Sequence, residues 1–187
     1  GSGNFSDVAD GLDWVIDNRL ALGIKVVNLS LGDLVAYDDS SAFPCTGSNT
    51  ADAIAQLKNL GVSVFIASGN GGFDDGIAFP ACVPEAISVG SVYDASFSAV
   101  GWCGATCSTI VCTDEPALAD SLVCNTNSGS LLDILAPQFQ ATVPTTGGGT
   151  ISVGGTSISS LYAAGQAALL LEADPSLTPD QILSSLE

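Results

Sequence analysis

The 187-residue sequence contains no histidine, and only three basic side chains, Arg19, Lys25 and Lys58, stand against twenty acidic ones. The first absence removes the side chain that most often serves as a general base near neutral pH and is among the commonest zinc ligands. The second leaves a formal net charge of -17, which repels phosphate backbones and anionic lipid surfaces, so neither nucleic acid nor a membrane is expected as a partner. No apolar run reaches the ~20 residues that span a bilayer; one of the longest, residues 163–171, is interrupted by Gly165 and Gln166. Residues 1–11, GSGNFSDVADG, have neither the basic segment nor the apolar core of a secretory signal, so the signal of an exported protein would lie upstream. Phosphate-binding loops are missing too. "SGNGG" at residues 68–72 does not complete G-x-G-x-x-G and is followed by Asp74 and Asp75, while "GGTS" at residues 154–157 lacks the lysine of a P-loop.

What is present is a hydrophobic content of 47%, enough for a substantial core in one domain. The acidic residues are dispersed, which reads as a solvated surface. Six cysteines lack paired C-x-x-C spacing: Cys103, Cys107 and Cys112 are separated by three and four residues and the others are scattered. An even count in loop-like sequence favours disulfides and therefore an oxidising compartment.

Periodicity predicts a helix over residues 5–22, with Val8, Leu12, Val15, Ile16 and Leu20 on one face and Gly23 as its stop. A buried strand follows at residues 25–31, a helix at 50–60 and a second buried strand at 62–67. Further apolar runs at 86–92 and 131–135 read as strands. Residues 157–172 read as a helix, and a last helix opens at Thr178, with Pro179 in its first turn and Gln181 completing a capping box. Alternating helices and strands indicate an α/β domain with a mainly parallel sheet, its site on the loops that leave the strand ends. Residues 102–130 carry four cysteines and no sustained pattern, and read as a disulfide-held surface insertion.

Ser157, between small residues at the mouth of an apolar helix, reads on its own as a helix cap. Its surroundings say more. "GGTSISSLYAAG" at residues 154–165 resembles the segment around the catalytic serine of subtilisin-like serine proteases, with Gly155, Thr156, Ser157, Ser160, Ala164 and Gly165 in register. "VVNLSLG" (26–32), "GVSVFIASGNGG" (61–72), "FPACVPEAISVGSV" (79–92) and "LDILAP" (132–137) resemble further segments of that family, in its order. The resemblance implies a three-layer subtilisin-like fold, of which residues 1–187 would form the C-terminal portion.

It further implies that Ser157 is the nucleophile and Asn70 the side-chain donor to the oxyanion. A helix N-terminus and a carboxamide are physically suited to those tasks, since both favour negative charge without themselves carrying a full charge. Ser30, Leu31 and Gly32, with Ala67, Ser68 and Gly69, would wall the pocket for the residue before the scissile bond, with Ala78 at its base. Gly1, Ser2 and Gly3 would begin a substrate-pairing edge strand. Cys45 and Cys82 resemble a disulfide pair beside that pocket, leaving Cys103, Cys107, Cys112 and Cys124 to pair in one of three ways. The family's aspartate and histidine precede its first helix in this region, so the expected partner is the N-terminal half of the same domain. The chain alone is then expected to be inactive, because an unassisted hydroxyl is a poor nucleophile. The expected activity is that of a secreted endopeptidase acting on protein or peptide and requiring no cofactor. A structural calcium is the ion the family would suggest, with Asp38–Asp39 and Asp74–Asp75 as acidic pairs that lack a ligand loop. Leu161 and Tyr162 stand where the family usually has proline and histidine, and Ile158 where it has methionine. The alternative is a catalytically inactive binding or structural module on the same fold.

Overall fold

The computed structural model describes residues 3–103 and 110–187; the expectations for Gly1, Ser2 and the pairing of Cys107 fall outside them. Helix α1 (Phe5–Leu22) begins where the Asn4 backbone donates to Asp7, and ends at Gly23, whose φ of 67° only glycine adopts without strain. Strand β1 (Val26–Leu29) and helix α2 (Asn49–Asn59) follow; the Ser48 hydroxyl caps α2 by accepting from the Ala51 N–H at 3.2 Å. Strands β2 (Ser63–Ala67) and β3 (Ile87–Val92) come next, and the hairpin β4 (Val100–Cys103) and β5 (Ile110–Asp114) rises from the following segment. Strand β6 (Ile134–Pro137) returns to the main sheet, and a second hairpin, β7 (Ala141–Pro144) and β8 (Thr150–Val153), leads into helix α3 (Thr156–Ala173). Helix α4 (Pro179–Leu186) carries the capping box read from Thr178 and Gln181.

Four strands form a parallel sheet in the order β1-β2-β3-β6. Strand alternation sorts its two faces. Val64 and Ile66 point into a core with Leu12, Ile16, Ile54 and Leu57 of α1 and α2, whereas Phe65 points the other way, to Ala163, Ala167 and Ile182 of α3 and α4. The result is a three-layer α/β/α stack. It directs the loops after β1 and β2 and the start of α3 toward one another.

Several expectations need correcting. Leu20 is 84% exposed because the core under α1 stops at Ile16. Strand β1 spans only Val26–Leu29 and is half-buried, not buried, since it pairs on one side only. The run at 131–135 becomes a strand at Ile134, where pairing with Val89 begins; Leu132 belongs to a turn closed by its N–H on the Gly129 carbonyl. Both antiparallel hairpins lie where no strand was expected. Their strands are four or five residues long, and a bulge interrupts β4 at Trp102 and Cys103, so neither shows a period long enough to read.

The β4–β5 hairpin sits over a small aromatic core of its own. Tyr93 is fully buried, donates its hydroxyl to Asp114 at 2.7 Å and accepts from the Trp102 indole at 2.7 Å; Phe139 packs edge-on against Tyr93 and Trp102. Burial pushes the Tyr93 phenol far above its ordinary value of about 10. The Trp102 bond opposes this rise and the Asp114 carboxylate adds to it. A raised phenol must stay neutral in the fold, so its contribution is complete below about pH 10 and is lost as pH climbs beyond it. Urea unfolding followed from pH 7 to 11.5 is therefore expected to show a flat stability that falls above about pH 10. Tyr93→Phe should reduce that fall without removing it, because Tyr37, raised by burial and by Asp33, titrates in the same direction.

Candidate active site

Helix α3 starts in an unusual way. Its N-cap is Gly155, at φ 114°, with no side-chain cap, so the hydroxyl of Ser157 is not spent on capping. Its recorded hydrogen bond, to the Ser30 carbonyl, is a long 3.5 Å. The backbone of Ser157, by contrast, is firmly held: its carbonyl accepts from Ser30 Oγ at 2.7 Å and from Ser160 Oγ at 3.1 Å, and Asn28 in turn donates to Ser30 Oγ at 2.9 Å. The chain thus fixes where Ser157 sits and leaves its oxygen uncommitted.

Asn70, in the loop after β2, reaches the same point. Its Oδ1 accepts from the Thr156 N–H at 2.9 Å and from Thr156 Oγ1 at 3.2 Å. Because a backbone N–H can only donate, this bond fixes which end of the carboxamide is oxygen, and the Nδ2 hydrogens are the end this brace leaves over. Thr156 Oγ1 also accepts from the Gly69 N–H at 3.2 Å, closing the brace between the loop and α3. A Cβ on Gly155 would come within 3.1 Å of Asn70 Oδ1, so the glycine serves both the turn and the approach. Gly154 is constrained from the other side, since a Cβ there would lie 2.9 Å from the Trp102 ring.

These groups line a cavity of about 440 Å³. Ser30, Leu31 and Gly32 form one side of it, Ala67, Gly69 and Asn70 another, and Thr156 and Ser157 close the end. Ser68 is fully buried and Ala78 lies behind the wall: neither lines the cavity. The Ser68 N–H and carbonyl are taken by Val89 and Ala78, and the Ala78 methyl fills the space against which side chains at Gly32 and Gly69 would press, at 3.2 and 3.1 Å. Cys45 and Cys82 form a disulfide with Cα atoms 5.4 Å apart across 37 residues. A loop of that size is stabilised by about 3–4 kcal/mol on the chain-entropy argument. The bridge ties down the segment just behind Ala78, where the Cys82 N–H reaches the Ala78 carbonyl. Cys112 is bonded to Cys124, and Cys103 is also disulfide-bonded.

Sequence reasoning assigned no role to Thr156, Asn127, Asp33 or Val111. Asn127 is buried at 2% exposure, and its Oδ1 accepts from the Gly71 N–H at 2.8 Å and the Phe73 N–H at 3.3 Å, which shapes the loop around Asn70. It lies in the cysteine-rich stretch, where no pattern singled it out. Asp33 also faces the cavity, but its Oδ1 accepts from the Val35 and Phe79 N–H groups at 3.2 Å and its Oδ2 from the Tyr37 hydroxyl at 2.9 Å. No group of three or more metal-ligating side chains occurs among the described residues, and Asp38 is engaged by Ser40 and Ser41. None of the three basic side chains lines the cavity at Ser157, and Lys58 pairs with Asp180 at 2.8 Å. A fixed hydroxyl, a fixed amide donor and a helix N-terminus can together support acyl transfer once a base is supplied.

Known proteins resemble this chain over its whole length. The profile of the peptidase S8, or subtilase, family matches residues 1–186. The chain is 32% identical over 194 residues to an extracellular serine proteinase of Thermus sp. (strain Rt41A), and 34% identical over 190 residues to alkaline elastase YaB of Bacillus sp. (strain YaB). Both alignments cover all of this chain but only 37% and 39% of those relatives. The crystal structure of a cold-adapted subtilisin-like serine proteinase superposes with a TM-score of 0.68 at 34% identity, over 98% of this chain and 54% of that one.

Proposed function

Since the chain belongs to the subtilase family, we propose that it is the serine-bearing portion of a secreted serine endopeptidase that cuts peptide bonds in proteins through an acyl-enzyme on Ser157. The aspartate and histidine of the triad come from the N-terminal half of the same domain. One observation carries this reading: at the start of α3 the Ser157 backbone is pinned while its hydroxyl makes only a long 3.5 Å bond, next to a carboxamide whose oxygen is occupied and whose N–H groups bond to no other described residue.

In the completed domain the histidine takes the Ser157 proton as Oγ attacks the substrate carbonyl. The oxyanion is met by Asn70 Nδ2 and by the Ser157 N–H, which in the first helical turn has no intrahelical acceptor. Collapse expels the amine, and water repeats the sequence to release the acid. The reaction needs no cofactor. Support for a missing half comes from the chain's coverage of its relatives. Disulfides and the extracellular relative support secretion.

The test is labelling. With the upstream half supplied, a fluorophosphonate should modify Ser157 and the domain should hydrolyse peptide; this chain alone should label weakly. Leu161 and Tyr162, 48% and 52% exposed beside the nucleophile, favour the second reading, an inactive module of the same fold. A folded, completed domain that takes up no label would establish it.

A further inference from the structure

The cavity at Ser157 has one wall that the loops after β1 and β2 do not supply. Val111, on β5, lines it from the disulfide-held hairpin. Alternation along β5 turns Cys112 and Asp114 inward, Cys112 to its disulfide and Asp114 to Tyr93, and leaves Val111 on the other face. We propose that Val111 is a specificity determinant, limiting the size of the apolar substrate side chain that enters the cavity, and that the Cys112–Cys124 disulfide holds it in place.

The disulfide joins two things that must keep register. On one side it is adjacent to Val111. On the other, Cys124 leads into the segment that clamps the Asn70 loop: the Asn125 carbonyl accepts from the Gly72 N–H at 2.8 Å, the Asn127 N–H donates to the Gly69 carbonyl at 3.0 Å, and Asn127 Oδ1 takes the Gly71 and Phe73 N–H groups. Gly72 packs so closely that a Cβ there would stand 2.9 Å from the Cys124 carbonyl oxygen. Wall and amide-bearing loop are therefore fastened to one strap. The lining fixes the class of side chain admitted. Leu31, Leu34, Phe73 and Val111 are apolar, and the single carboxylate, Asp33, already holds three internal donors. An uncharged apolar side chain matches these surfaces, and a charged one would lose its water without gaining a partner.

This inference rests on the cavity being the peptide site of the proposed function, and it can be tested on the chain itself. The probes are N-acetyl-Ala-Ala-Pro-X-amides with X as Ala, Leu or Phe, titrated by NMR into wild type, Val111→Ala and Val111→Phe. Val111 is 46% exposed, so neither substitution empties a core. Relative to X = Ala, the affinity for X = Phe should rise about fivefold in Val111→Ala, which removes two carbons from the wall, and fall at least about fivefold in Val111→Phe, which adds four. In the double variant Cys112→Ala/Cys124→Ala, discrimination among the three peptides should flatten. Unchanged ratios in both Val111 variants, or no binding of any peptide by the folded wild-type chain, would overturn the proposal. Ratios that shift as expected in a protein whose completed domain never takes up a fluorophosphonate would leave the wall standing and remove the endopeptidase reading.

Discussion

Ser157→Ala, in the domain completed by its upstream half, is expected to lower kcat by about 10⁶-fold while leaving stability within about 0.5 kcal/mol of wild type. The rate factor is that of a relative in this family stripped of its nucleophile; the lack of a stability effect follows from the geometry here. Ser157 Oγ caps nothing and makes one bond of 3.5 Å. The neighbouring serines provide the contrast. Ser159 Oγ donates to the Ala136 carbonyl at 2.9 Å and lies 2.9 Å from Ser91 Oγ, and Ser160 Oγ donates to the Ser157 carbonyl. Ser159→Ala should therefore cost about 1–3 kcal/mol of stability, because it leaves buried polar groups without partners, and should spare most of the activity. Urea titration and steady-state kinetics on the two variants separate the roles. Equal losses of activity in both would show that Ser157 is structural.

The second large effect is at Asn70, where two substitutions separate two tasks. Asn70→Leu removes both the donor to the oxyanion and the acceptor that holds Thr156. It should slow kcat about 10²- to 10³-fold, the scale measured for this kind of donor in a subtilisin, with little change in KM because the bond strengthens only in the transition state. It should also destabilise the fold by about 1–3 kcal/mol, since the Thr156 N–H is buried and would lose its partner. Asn70→Asp keeps an acceptor for Thr156 but turns a negative charge toward the developing oxyanion. Its melting temperature should stay near that of wild type while kcat falls at least as far as in the leucine variant. A loss of activity that tracks stability across the two variants would make Asn70 a brace alone.

Much of this arrangement was legible in the sequence, for identifiable reasons. Amphipathic helices with capping residues, such as α1 and α4, are local objects, and buried runs such as residues 62–67 declare themselves by composition. Ser157 and Asn70 stood out because the segments around them resemble those of the subtilase family; on its own, Ser157 reads as a helix cap. The hairpins did not stand out, since their strands are short and antiparallel, and β4–β5 is also irregular at Trp102 and held by a disulfide and an aromatic cluster far apart in the chain. Asn127 was hidden for the same reason: its importance comes from the N–H groups of Gly71 and Phe73, more than fifty residues away. Ser68 shows the opposite failure. A loop that borders the cavity still turns one of its residues inward, and the residue names do not reveal which one.

The bond between Ser30 and the Ser157 carbonyl joins residues 127 apart, and that between Gly69 and Thr156 joins residues 87 apart. Contacts of such separation require large loops to close, and parallel strands linked by crossovers are slow to pair. The hydroxyl and its amide neighbour therefore come together only when the segments carrying them have docked. On the proposed endopeptidase reading, a chain in which those segments have not docked has the serine without the braced carboxamide, and so lacks the arrangement that would attack its own exposed backbone.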